Sequence, residues 1–174
     1  MAVIAARALE RKLSFLLAGG HAVISHGVPR NTFDVDLIID RNQRPQWLDL
    51  FKNLGYTLFS EHPNFTQLKA RDEAGLPVDL ILVSAATFTK LLAEAGPDPA
   101  KTYGVQVVSL HHLLALKCHA IKFGPLGRIE KDIDDVIALI KKNHLDVRLR
   151  ETRALILKHG TPELYEKLLR AARP

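Results

Sequence analysis

The sequence contains a single cysteine in 174 residues, and only 6% of its residues are aromatic. One cysteine, Cys118, excludes an intramolecular disulfide and a zinc site built from several cysteines, and it fits a reducing compartment. No apolar stretch approaches the ~20 residues that a membrane span requires. The first apolar run, residues 1–6, is too short for the core of a signal peptide. These absences predict a cytoplasmic protein without a membrane segment.

Two nucleotide-binding fingerprints are also absent. The sequence has neither Gly-x-x-x-x-Gly-Lys-Ser/Thr nor Gly-x-Gly-x-x-Gly, and its eight histidines show no His-Glu-x-x-His spacing. Apolar residues make up 47% and charged residues 25%, which is ordinary for a globular domain. The net charge of +5 favours an anionic partner such as a nucleotide or RNA.

Two aspartates interrupt the apolar stretch at residues 33–39 at the spacing of a β-strand. Because successive strand residues point to opposite faces, Asp34 and Asp36 are predicted to point the same way, with Cα atoms roughly 6.6 Å apart. Both carboxylates could then reach one divalent cation, or bridge a pair of cations set about 3.5–4 Å apart. The pattern therefore indicates a metal-dependent phosphoryl-transfer site.

A third carboxylate, Asp79, interrupts the apolar strand predicted at residues 78–83. A charge inside such a strand is costly unless it is paired or bound to a metal. If this strand lies beside the first, three carboxylates converge and Asp79 could act as a general base on an incoming hydroxyl. The alternative, that Asp79 faces water at the end of the strand or caps the hairpin, stays open.

A pair of glycines, Gly19 and Gly20, precedes a predicted helix. Backbone N–H groups at such a turn can cradle a phosphate, although most glycine pairs simply make turns. Arg30 and Thr32, just ahead of the first carboxylate strand, could add a guanidinium and a hydroxyl to a phosphate site. Alternatively, they form a loop ion pair and a strand entry.

Lys117 occupies a position on the apolar stripe of a predicted helix at residues 110–123. Its long side chain must either bend out to solvent or point into a polar cavity. We favour the cavity, where the ammonium would meet a triphosphate or Asp79. The following helix is interpreted as amphipathic, with Lys131, Asp132 and Asp135 on faces other than the buried one.

Strands are predicted mainly before residue 110 and helices after it, which indicates the α+β class with a mixed sheet, flanking helices and a C-terminal helical layer. Residues 1–110 would form the core, and residues 111–174 a helical part packed on it. The predicted strands span 14–18, 33–40, 65–71, 78–83 and 105–109, with 65–71 and 78–83 joined as a hairpin. The predicted helices span 2–13, 21–26, 45–54, 86–95, 110–123, 128–143, 150–159 and 162–172, and the loop 124–127 separates two of them.

Five segments in this order resemble the DNA polymerase β-type nucleotidyltransferase superfamily. They are Gly-Gly-His-Ala-Val at 19–23, Gly-x-x-Arg-x-Thr-x-Asp-Val-Asp at 27–36, Val-Asp-Leu at 78–80, and Leu-Lys-Cys-His-Ala at 116–120 followed by Lys-Asp-x-x-Asp at 131–135. Within the superfamily the chain is most similar to small prokaryotic nucleotidyltransferases related to the AbiEii toxins of toxin–antitoxin systems. The resemblance covers roughly residues 14 to 142.

This resemblance implies transfer of a nucleoside monophosphate from a nucleoside triphosphate to a hydroxyl, with Mg²⁺ at a two-metal site. Histidine at position 21 departs from the small or hydroxylic residue common there, and the loop 124–127 puts a role for Arg128 in doubt. By matching positions, the metal-binding and catalytic residues would be Asp34, Asp36 and Asp79. The nucleotide-binding residues would be Gly19, Gly20, His21, Arg30, Thr32, Lys117 and Lys131.

Three functions compete at this point. The first is an active nucleotidyltransferase that acts on RNA such as tRNA, on a protein or on a small molecule. One form of this hypothesis is a toxin that is paired with a cognate antitoxin. The second is a catalytically inactive nucleotide-binding or antitoxin-like partner with the same fold, which the intact carboxylates disfavour. The third is a basic RNA-binding module, which the scarcity of aromatic residues disfavours.

Overall fold

The computed structural model describes residues 1–72, 75–98, 105–124 and 126–171. The chain divides into two compact units. The first contains Met1–Ser25 and Arg30–Ser109, and the second contains His26–Pro29 and Leu110–Pro174. The first unit carries the sheet, and the second is helical.

The sheet unit alternates short helices and strands. Its helices are α1 (Ala2–Glu10), α2 (Gly19–Ser25), α3 (Arg44–Asn53) and α4 (Ala85–Glu94), with a 3-10 turn at Arg41–Gln43. Its strands are β1 (Phe15–Leu17), β2 (Val35–Asp40), β3 (Tyr56–His62), β4 (Phe65–Ala70), β5 (Val78–Val83), β6 (Gly96–Pro97) and β7 (Gln106–Val107). The predicted helix at 2–13 was too long, because Lys12 adopts a left-handed conformation with φ of 56°.

The seven strands form one mixed sheet in the order β3-β4-β5-β2-β1-β7-β6. β2 pairs with β5 in parallel, as β1 does with β7, whereas the other neighbours are antiparallel. The α+β class and the hairpin formed by β4 and β5 are therefore confirmed. β3 was not predicted, because most of its residues are exposed and show no apolar alternation.

Large apolar side chains hold the centre of the sheet. β2 is buried along five of its six residues, so both of its faces are covered. Trp47 of α3 is fully buried, meets the ring of Phe15 edge-on at 5.6 Å between centroids, and stacks with Phe51 at 5.9 Å. Close packing of this kind fixes the position of any side chain that the central strands carry.

The helical unit contains α5 (Leu110–Phe123), α6 (Leu126–Lys142), α7 (Arg150–His159) and α8 (Pro162–Ala171). The apolar face predicted for α6 is buried at Ile133, Val136 and Ile140. The predicted loop at 124–127 extends too far, because α6 already begins at Leu126. Two residues of these predictions lie outside the described residues, namely Pro125 of the loop and Ala172 at the end of the last helix. Among the helices in the described ranges, none has the length and apolar character needed to cross a bilayer.

Candidate active site

Two buried carboxylates lie side by side at the centre of the sheet. Asp36 on β2 and Asp79 on β5 are direct partners in the parallel register, and only 7% and 3% of their surfaces are exposed. Neighbouring strands lie about 4.8 Å apart and paired residues share a face, so the two carboxylates project together. The sequence predicted a shared role for Asp79 only if its strand lies beside the strand of Asp36. The two strands are neighbours. Carboxylates this close repel each other, and a bound cation would relieve that repulsion.

Asp79 is also held from its other side. Gln67 of β4 lies opposite Asp79 in the antiparallel register, and its Nε2 donates to Asp79 Oδ1 at 3.3 Å. This amide limits the rotation of the carboxylate. Sequence reasoning missed Gln67, although counting the register back from the β4–β5 turn would have brought this polar residue opposite Asp79.

Asp34 differs from the prediction. The strand begins at Val35, so Asp34 lies in the preceding loop and does not share a strand with Asp36. Within this loop the Thr32 hydroxyl donates to Asp34 Oδ1 at 2.8 Å. Within residues 1–72, 75–98, 105–124 and 126–171, no group of three or more His, Cys, Asp or Glu side chains is arranged to hold a metal. Metal binding by Asp34 stays a prediction.

The glycine pair packs directly against this acidic centre. Gly19 has φ of +54°, and a Cβ at this position would lie 1.7 Å from Asp36 Oδ2. A Cβ on Gly20 would lie 2.3 Å from the Thr32 hydroxyl oxygen and 2.7 Å from Arg30 Nη2. Only glycine therefore lets the first turn of α2 approach both the carboxylate and the loop at 30–32. The structure brings these predicted residues together in one place.

His21 follows the glycine pair and lies near Asp34. Burial lowers the pKa of its imidazole below the usual value, while the charge of Asp34 and a hydrogen bond to the Asp34 backbone act in the opposite direction. The positive charge of Arg30 adds to the lowering. The net direction makes the neutral imidazole the dominant form at pH 7.

The helical unit holds a second buried charge cluster. The Lys117 ammonium lies 2.6 Å from Asp132 Oδ1 and 2.7 Å from Asp135 Oδ2, and all three residues are buried. Lys117 therefore points into a polar interior, and the alternative that it bends out to solvent is wrong. The interpretation of Asp132 and Asp135 as outward-facing residues is also wrong, because their i, i+3 spacing puts both on the side of α6 that meets Lys117. Lys131 is exposed.

Comparison with solved structures identifies the fold. ANT(2'')-Ia in complex with adenylyl-2''-tobramycin matches with a TM-score of 0.68 at 17% identity, over 90% of this chain and 92% of that one. The lincosamide antibiotic adenylyltransferase LnuA, bound to lincomycin, matches with a TM-score of 0.58 at 16% identity, over 79% and 92%. An antigenic nucleotidyltransferase-like protein from Paracoccidioides brasiliensis matches with a TM-score of 0.53 at 20% identity, over 97% and 89%.

No protein-family model and no curated protein matches the sequence. At the identities of the structural matches, likeness shows the fold alone. The chain thus has the nucleotidyltransferase fold, as the sequence motifs predicted.

Proposed function

We propose that this protein is a nucleotidyltransferase, which moves a nucleoside monophosphate from a nucleoside triphosphate to a hydroxyl group. The observation that carries the proposal is the register pairing of Asp36 with Asp79 beneath Gly19. Burying two carboxylates on neighbouring, paired strands is unfavourable for folding. Costly arrangements of ionisable groups of this kind are typical of functional sites. The nucleotidyltransferase fold supports the same activity by analogy.

The oxygen-rich donor set fits a hard divalent cation such as Mg²⁺. Asp36 and Asp79 would hold it, with Asp34 as a further ligand at a two-metal site. When bound, Mg²⁺ supplies positive charge that stabilises the phosphoryl oxygens during transfer. Gln67 would hold one oxygen of the Asp79 carboxylate from the β4 side.

The remaining predicted residues would bind the triphosphate. Backbone N–H groups at Gly19 and Gly20 and the side chains of Arg30 and Thr32 offer donors beside the carboxylates. His21 is proposed as a further nucleotide contact, since it follows the glycine pair and lies beside Asp34.

Lys117 and Lys131 are proposed as nucleotide contacts from the helical unit. Asp132 and Asp135 would then keep the Lys117 side chain extended.

The acceptor is proposed to be a hydroxyl of RNA, of a protein or of a small molecule. Small molecules belong in this set because ANT(2'')-Ia was solved with an adenylylated tobramycin and LnuA with lincomycin. A toxin paired with a cognate antitoxin is one version of the same activity. The alternative is an inactive nucleotide-binding or antitoxin-like protein, and the position of Asp34 outside β2 is the observation in its favour.

The test is transfer of label from each nucleoside triphosphate, with Mg²⁺, to total RNA, lysate protein, tobramycin and lincomycin. Replacing Asp36 with Asn should reduce transfer about 1,000-fold, because removing one charged ligand costs several kcal/mol of transition-state stabilisation. Asp40→Asn is the matched control on the same strand, since Asn keeps the oxygen that accepts from the Asn42 N–H at 3.0 Å. Nucleotide binding without transfer to any acceptor would favour the inactive partner.

A further inference from the structure

The solvent-facing side of α5 is basic and aromatic. Its four most exposed side chains are His111, His119, Lys122 and Phe123. The sequence of this helix, residues 110–123, includes no aspartate or glutamate. The exposed side chains of α5 therefore include none that carries a negative charge.

The end of α7 adds to the same surface. The pKa of His159 is lowered by burial, by Lys158, and by three histidines of α5, namely His119, His111 and His112. Mutual repulsion of this kind requires the groups to lie close together. Geometry agrees, because a Cβ on Gly160, directly after α7, would lie 3.4 Å from Cys118 Cβ of α5. The described helices thus bring the end of α7 and α5 into one surface. We call this surface the basic aromatic face, and its members are His111, His119, Lys122, Phe123, Lys158 and His159.

Phe123 is the unusual member of this face. Its side chain is 67% exposed, although burying an aromatic ring normally contributes to stability. The His119 ring lies 4.7 Å from the Phe123 ring between centroids, and the Lys122 ammonium lies 5.2 Å from it. The exposed Phe123 ring thus lies beside a second ring and beside the positive charge of Lys122.

This combination matches one ligand chemistry. Single-stranded nucleic acids bind where bases stack on exposed aromatic rings and phosphodiesters meet nearby cations. An acidic peptide would use the cations and leave the ring without a planar partner. We propose that the basic aromatic face binds single-stranded RNA, with a base stacked on Phe123 and phosphates near Lys122 and Lys158. That the bound strand is also the hydroxyl acceptor rests on the proposed function.

Binding is measured by fluorescence anisotropy with a labelled, unstructured RNA of about 12 nucleotides, within the usual size of such sites. No nucleotide is added. Phe123→Ala should weaken binding about 5- to 100-fold, the range for loss of one stacked base. When the logarithm of the binding constant is plotted against the logarithm of the salt concentration, Lys122→Ala should reduce the magnitude of the slope by about 0.7. This change corresponds to one lost phosphate contact.

The sheet unit offers a matched control pair. Phe59 is 58% exposed, and the Lys69 ammonium lies 3.3 Å from the centre of its ring. Phe59→Ala and Lys69→Ala remove the same groups from a similar exposed setting outside the basic aromatic face. Both should leave RNA binding within twofold of the unaltered protein. Polyglutamate at equal charge concentration should compete poorly.

Three results would overturn this proposal. They are no binding of RNA, equal losses in the Phe59 and Phe123 variants, and equal competition by polyglutamate. The proposed function fails separately, because that failure is the absence of nucleotide transfer to every acceptor. A protein that labels tobramycin or lincomycin but does not bind RNA would keep the proposed function and refute the RNA site.

Discussion

Replacing Gly19 with alanine should damage the proposed site more than it damages the fold. The added Cβ would lie 1.7 Å from Asp36 Oδ2, 2.3 Å from its Cγ and 2.7 Å from its Cβ. Rotating the Asp36 side chain moves its carboxylate but leaves the Asp36 Cβ in place. The contact between the two Cβ atoms therefore remains unless the strand or the glycine turn moves. Asp36 lies in a strand buried on both faces, and movement there is strongly resisted.

Two separable effects set the magnitude. The left-handed conformation at φ of +54° costs alanine about 1–2 kcal/mol of unfolding free energy. The contact with Asp36 requires a displacement on the order of 1 Å, and a misplacement of that size at a reacting centre costs about 100-fold in rate. We therefore expect transfer to fall about 100-fold in a protein that still folds.

Gly55→Ala separates the two effects. Gly55 also has a positive φ, of +83°, but a Cβ there would meet nothing within 4 Å. Urea unfolding should show a loss of about 1–2 kcal/mol in Gly55→Ala and a larger loss in Gly19→Ala, which adds the contact with Asp36. Label transfer should fall only in Gly19→Ala. Full activity of Gly19→Ala, or an equal loss of activity in Gly55→Ala, would refute the reasoning about this contact.

Three further outcomes follow from buried groups. Lys117→Met should lower the unfolding free energy by about 3–5 kcal/mol, because Asp132 and Asp135 lose their cation. Adding Asp132→Asn and Asp135→Asn to this variant should recover most of the lost unfolding free energy in urea titrations. A lack of recovery would contradict the pairing. Burial raises the pKa of Cys118 to about 12, so a thiol reagent at pH 8 should react only after unfolding, and rapid labelling of the native protein would count against this. The pKa of His21 is lower in the folded than in the unfolded chain, so its neutral form contributes stability above about pH 6.5 that is lost as the pH falls. The unfolding free energy should therefore drop more steeply from pH 7.5 to 5.5 than in His21→Gln, and parallel profiles would exclude this role.

The sequence was sufficient where a single local pattern decided the structure. The apolar runs around Asp36 and Asp79 marked two strands, and the cost of buried charge made a shared site for these residues one of two alternatives, which the pairing of the strands favours. The helix at residues 110–123 and the helix at residues 150–159 have the predicted ends. Each of these features depends on short-range periodicity and burial.

Features that depend on tertiary partners were not predictable in the same way. Asp34 fits the strand alternation, yet β2 begins only at Val35 and Asp34 lies in the loop before it. Lys117 was correctly expected in a polar interior, but its carboxylate partners come from α6, whose acidic residues looked solvated in the sequence pattern. The edge strand β3 pairs through its backbone, which leaves no periodic signal in the side chains.

The decisive measurement compares two labels in one transfer assay. Wild-type protein, Asp36→Asn and Asp40→Asn are incubated with Mg²⁺, the acceptors and ATP labelled at either the α- or the γ-phosphate. We predict that wild type and Asp40→Asn attach the α-label to an acceptor and release the γ-label as pyrophosphate, whereas Asp36→Asn does neither. Transfer of the γ-label to the acceptor, or undiminished transfer by Asp36→Asn, would contradict nucleotidyl transfer at the Asp36–Asp79 pair.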